Sequence, residues 1–173
     1  APLLYDLTAL QQSANTTLGL TAEQTLDIAQ KLYEFGYISY PRTGCGYITE
    51  DIFEQVPSLI ALLKQHPRFA RHAENLCSRI LNRHCVNDSK MTDHHGLIIT
   101  ENFPQNLSLD EQNIYSMIAG RMLEAFSGKC LKETLFVQAD CNGASFGIKG
   151  CQIKVPGWRG IYNEPDEKEE GSL

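Results

Sequence analysis

A helix-dominated α+β fold is what this sequence predicts, on three observations. Capping boxes recur in the first two thirds of the chain, each followed by apolar residues at helical spacing. After Leu131 the pattern changes to period two. The order is therefore helices first and strands second, with no internal repeat.

Thr8-Ala-Leu-Gln11 reads as a capping box opening a short helix that Gly19 stops. Thr21-Ala-Glu-Gln24 opens a second helix, carried by Leu26, Ala29 and Tyr33 and ended by Gly36. Two short helices joined at Leu18-Gly19-Leu20 suggest a helix-turn-helix. Tyr37-Ile38-Ser39-Tyr40 is β-prone, and Pro41 pushes Tyr40 out of the α region. Thr49 is placed to cap a third helix, which Pro57 breaks or restarts. Residues 77–92 are polar and carry no clear pattern. His94-His95-Gly96-Leu97-Ile98-Ile99-Thr100 reads as a loop entering a short buried strand. Ser108-Leu-Asp-Glu111 caps an amphipathic helix running to Gly128. Residues 134–140, 144–149 and 151–155 read as three antiparallel strands, with a turn at Asn142-Gly143. The acidic residues 164–173 are expected to be disordered.

Apolar residues at 42% and charged residues at 21% are ordinary for a soluble globular chain. No apolar run approaches the roughly 20 residues that cross a bilayer, and the first residues lack the pattern of a signal peptide. The chain does not open with Met, which suits a piece cut from a longer protein. Its six cysteines form no Cys-x-x-Cys pair, so free thiols in a reducing cytoplasm are expected. A metal site at Cys77, His84 and Cys85 is a weak alternative.

A net charge of −6 argues against a simple basic DNA-binding module. The charge is uneven, however. Residues 164–170 supply −4 of it, whereas residues 64–90 are locally +4 and contain Arg68 and Arg71. That stretch suits either a phosphate-facing surface or a solvated helix face.

Tyr40-Pro41-Arg42-Thr43 has the makings of a reactive site. A phenol with a pKa near 10 is a weak nucleophile at neutral pH. A guanidinium favours its phenoxide and also binds phosphate through two parallel hydrogen bonds. If the segment is extended, Tyr40 and Arg42 share a face, and Thr43 adds a hydroxyl donor.

These residues also resemble a family. Type IA DNA topoisomerases carry a tyrosine in a Tyr-Pro-Arg-Thr or similar run, preceded by a helix like residues 29–38 here. Residues 8–15 and Leu18-Gly19 are similar to the family's Thr-Leu-Gln-rich helix and Leu-Gly turn. His94 to Thr100 resembles the His-His-Ala-Ile-Ile-Pro-Thr segment of the topoisomerase III branch. Cys45 fits that branch, while Gly44 stands where the family usually has Asp, Gly96 where it has Ala, and Ile99 where Pro is common.

The resemblance implies a helix-turn-helix (winged-helix/CAP-like) tyrosine domain over residues 7–130. It assigns residues 1–6 and 131–163 to strands of an adjoining arch domain. It also implies that Tyr40 attacks a phosphodiester of single-stranded DNA, that Arg42 stabilises the phosphate, and that His94 helps position it. Thr43, His95, Arg68 and Arg71 are then candidate DNA contacts. Mg²⁺ is expected in a separate Toprim domain of the same parent chain, with no metal site here, and the parent is expected to be a monomer. The alternatives are a non-enzymatic helix-turn-helix DNA-binding module and an inactive structural remnant.

Overall fold

The computed structural model describes residues 1–162. Helix α1 (Leu7–Leu18) opens on Asp6, whose side chain accepts from the Ala9 backbone N–H at 2.7 Å. The cap therefore lies two residues before Thr8, because Asp6 is extended while Thr8 is already helical. Gly19 ends α1 in the left-handed region (φ 70°), as read from the sequence. The capping box at Thr21 opens α2 (Ala22–Glu34) with both reciprocal hydrogen bonds formed.

Thr49 precedes the one-turn α3 (Glu50–Phe53), but its hydroxyl donates to Asp51 and caps no backbone N–H. Asp88 does so from far along the chain, its carboxylate accepting from the Glu50 N–H at 2.9 Å. Pro57 lies in the first turn of α4 (Val56–Leu62), where it costs no hydrogen bond. Helix α5 (Ala70–Cys77) follows. Within residues 77–92, Val86 bridges to Ile48 and Asp88–Lys90 form a single 3₁₀ turn. Ser108 and Glu111 close the third capping box and open α6 (Leu109–Phe126).

Helix α6 is the axis of the core. It buries Ile114, Tyr115, Ile118, Met122, Leu123 and Phe126 against α1, α2 and α5. Leu4 and Tyr5 are buried in this same cluster, and Tyr5 bridges to Leu97. Leu3 also packs against this cluster, so the segment read as an arch crossing touches the helical body at residues 3–5.

Two strands form where three were expected. β1 (Leu131–Cys141) pairs antiparallel with a single long β2 (Ala144–Val155). Gly150 sits opposite Leu135 and continues the ladder, so no break separates the second and third runs. The turn at Asn142-Gly143 has φ of 48° and 82°, the positive pair that matches strand twist. After β2 the chain returns to the helical body through the 3₁₀ turn Gly157–Ile161. Ile161 is buried there, and Tyr162 packs edge-on to Phe69. Tyr162 also lies so close to Gly120 that a Cβ there would sit 1.8 Å from its hydroxyl. The expected disorder of residues 164–173 falls outside the described residues.

Candidate active site

The site grows from two segments that cross the end of the helical body. Residues 37–39 run beside residues 98–100. Ile38 bridges to Ile99, the Ser39 N–H donates to Ile98 O at 2.9 Å, and the Thr100 N–H donates to Tyr37 O at 3.0 Å. Ile38, Leu97 and Ile99 are buried, which anchors both segments in the core. The buried short strand read at residues 94–100 is present as isolated bridges. Gly96 passes close to Leu4, where a Cβ would meet the Leu4 Cβ at 2.9 Å. A side chain here would need Leu4 or the facing backbone of Cys45 and Gly46 to shift.

Tyr40 emerges at the end of this pairing, half-buried. Its ring meets Tyr33 of α2 edge-on, with centroids 5.3 Å apart, and meets His94 at 4.6 Å. Its hydroxyl has no hydrogen-bond partner among the described residues. Pro41 beside it is buried. The chain then turns. The Thr43 N–H donates to Pro41 O at 2.9 Å, closing a three-residue turn centred on Arg42. The extended geometry assumed for Tyr40 and Arg42 therefore stops at Pro41. Arg42 is exposed at the apex, with no hydrogen bond or ion pair among the described residues.

Thr43 is buried, and its hydroxyl is used within the fold, donating to the His94 carbonyl at 2.9 Å. His94 itself is exposed. His95 is half-buried, with Nδ1 2.8 Å from Gly96 O. It lies near Asp51, whose carboxyl is held below its usual range mainly by the Thr49 hydroxyl, with a smaller electrostatic contribution from His95.

The two arginines of the basic stretch lie elsewhere. Arg68 stacks over Tyr162 at 4.8 Å and Phe69 at 5.6 Å. It lines a cavity of about 850 Å³ between α1, α6 and residues 66–68, which Tyr40, Arg42 and His94 do not line. Arg71 is exposed in the first turn of α5. The structure thus joins Tyr40, Arg42, Thr43 and His94 in one locality and keeps Arg68 out of it. Sequence reasoning missed Tyr33 and Ser39 as neighbours. Tyr33 was visible as part of the α2 stripe, but a ring contact seven residues away in sequence has no local signature.

Cys77, His84 and Cys85 do not assemble, since Cys77 is exposed and Cys85 is buried, where burial pushes its thiol up to about 11. Among the described residues, no three His, Cys, Asp or Glu side chains gather to hold a metal ion. No described helix is long and apolar enough to cross a membrane.

Fold and site together define a helical domain that presents a tyrosine packed on a histidine, two residues before an exposed arginine, and neither the tyrosine hydroxyl nor the arginine has a polar partner among the described residues. The chain belongs to the DNA topoisomerase family, whose sequence model matches residues 1–173. It is 34% identical to DNA topoisomerase 3 of Bacillus subtilis over 98% of this chain and 24% of that protein. It is 32% identical to DNA topoisomerase 3 of Haemophilus influenzae over 98% of this chain and 26% of that protein. Full-length topoisomerase I of Thermotoga maritima has a similar fold, with a TM-score of 0.66 at 19% identity over 99% of this chain and 28% of that one. The chain therefore spans about a quarter of the length of these relatives. The relatives are topoisomerases, so a non-enzymatic helix-turn-helix module is not favoured.

Proposed function

We propose that this chain is the tyrosine-bearing part of a type IA topoisomerase that cuts and rejoins one DNA strand without ATP. The observation that carries the reading is half-buried Tyr40 at the end of a braced segment, its ring packed on His94 and its hydroxyl without a hydrogen-bond partner among the described residues. Its phenol oxygen attacks a backbone phosphorus. The phenol gives up its proton as a new P–O bond forms to the 5′-phosphate, and the 3′-oxygen leaves and takes up a proton, so that none is gained or lost overall. Arg42, with no protein partner among the described residues, is available to the phosphate as charge builds. His94 sits beside the ring and helps place the same group. The freed 3′-hydroxyl reverses the step. Bond energy is kept in the phosphotyrosine, which is why no nucleotide hydrolysis is needed.

A single-stranded segment is the expected partner, because the attacked phosphate must reach a tyrosine that is half-buried against Tyr33 and His94. Mg²⁺ would supply charge stabilisation when bound, and its ligands would come from a Toprim domain elsewhere in the parent. The hairpin β1–β2 would be this chain's share of an arch domain. The parent is read as a cytoplasmic monomer.

The test is Tyr40→Phe in the full-length parent. Loss of relaxation of negatively supercoiled plasmid, with single-strand binding retained, supports the reading. Relaxation at the wild-type rate would end it.

A further inference from the structure

The residues flanking Tyr40 carry two hydroxyls that the chemistry above does not use. Ser39 accepts from the Ile98 N–H at 3.1 Å and donates to Gly96 O at 3.5 Å. Thr43, only 4% exposed, donates to His94 O at 2.9 Å and accepts from the Cys45 N–H at 3.1 Å. Its backbone is tied as well, the N–H to Pro41 O and the carbonyl to the Leu7 N–H, both at 2.9 Å. A hydroxyl has one hydrogen to give. Thr43 gives its hydrogen to His94 and has none left for a phosphate.

We propose that Thr43, assisted by Ser39, is a positioning residue that holds the backbone of residues 94–98 so that the His94 ring stays against Tyr40. The His94 side chain is exposed, and no hydrogen bond from its ring occurs among the described residues. Its placement therefore depends on its backbone, and the His94 carbonyl is bonded to Thr43. Ser39 grips the same segment two and four residues further on, at Gly96 and Ile98. The nucleophile's own loop thus sets the register of the histidine it packs on. The effect on reaction rate rests on the reading of Tyr40 as the nucleophile, whereas the structural effect does not.

Two measurements separate these. In the chain itself, the Tyr40 ring displaces the imidazole C–H signals of His94 in ¹H–¹³C NMR spectra through its ring current. Thr43→Val keeps the shape and removes the hydroxyl, and it should bring those signals to the positions seen in Tyr40→Leu. Thr43→Ser should leave them in place. In the parent, Thr43→Val should lower kcat for oligonucleotide cleavage roughly ten- to a hundredfold, as expected for a displaced reacting group, with KM unchanged and Thr43→Ser restoring the rate. Unmoved His94 signals in Thr43→Val, or a raised KM at constant kcat, would overturn the proposal. If Tyr40 proves not to be the nucleophile, the NMR comparison still decides. Should Thr43→Val fail to fold, Ser39→Ala carries the same test, and unmoved His94 signals there count equally against it.

Discussion

The helical body and the hairpin are built from equally regular backbone, yet they bury their side chains in opposite ways. The body encloses a continuous core from Leu4 to Phe126, and several of its largest side chains have no exposed surface. Every residue of β1 is exposed, and so are most of those of β2. One face of the hairpin nevertheless gathers Leu135, Val137, Phe146 and Ile148, of which Val137 pairs directly with Ile148. A two-stranded ribbon is at best marginally stable alone in water. The lesson is that local pattern is enough to form a hairpin, while stability comes from what covers its apolar face. The body carries its own cover and can hold a site in fixed geometry.

The sharpest way to break this contrast is to delete matched side chains from both regions. Phe126→Ala should cost the body about 3–5 kcal/mol in urea melts, because it empties a fully buried ring position. Val137→Ala in the hairpin should cost less than about 0.5 kcal/mol in the same chain. A large loss from Val137→Ala here would mean that the hairpin already stabilises the body.

A smaller effect probes where the two regions join. Gly120→Ala must displace Tyr162, and we expect a loss of about 1–3 kcal/mol, as for overpacking. The added cost should fall, but not vanish, when Tyr162→Ala is combined with it in a double-mutant cycle, because Phe69 Cζ would still lie 2.9 Å from the new Cβ. Additive losses would show that Tyr162 does not seat on Gly120.

The smallest effect is a pH dependence confined to the body. Burial, with a lesser contribution from the neighbouring Arg68, lowers the pKa of His66. Its ring lies between Phe69 and Tyr115 and is 3.1 Å from the Ser116 hydroxyl. The unfolded state then binds the proton more readily than the folded one. Stability should accordingly be fully present above about pH 6.5 and decline as pH falls from there toward the lowered folded value. His66→Gln should flatten that slope without abolishing it, since His72 is shifted in the same direction, also mainly by burial. An unchanged slope in melts from pH 7 to pH 5 would remove His66 from the account.

Much of this molecule was legible in the sequence, for reasons that differ by element. The capping boxes at Thr21 and Ser108 and the turn at Asn142-Gly143 use interactions within four residues, so their chemistry is local and readable. Asp88 capping α3 from 38 residues away is not local, and Thr49 looked like the cap because distance in space is invisible in sequence. Nothing in the identity of Tyr5 shows that it pairs with Leu97, 92 residues away in sequence. At the site, the Tyr-Pro-Arg-Thr run and the His-His segment were found through resemblance. Thr43 was read as facing DNA because a hydroxyl on a short loop gives no sign of being buried. The ring contact of Tyr40 with Tyr33 likewise depends on how α2 packs.

The most direct test of the central claim is to find where the cut strand is attached. The full-length parent is mixed with single-stranded oligonucleotide and Mg²⁺, denatured during cleavage, digested, and mapped by mass spectrometry. A nucleotide joined through its 5′-phosphate to the peptide containing Tyr40 is the predicted result. An adduct on any other residue, or cleavage without a covalent adduct, would contradict it.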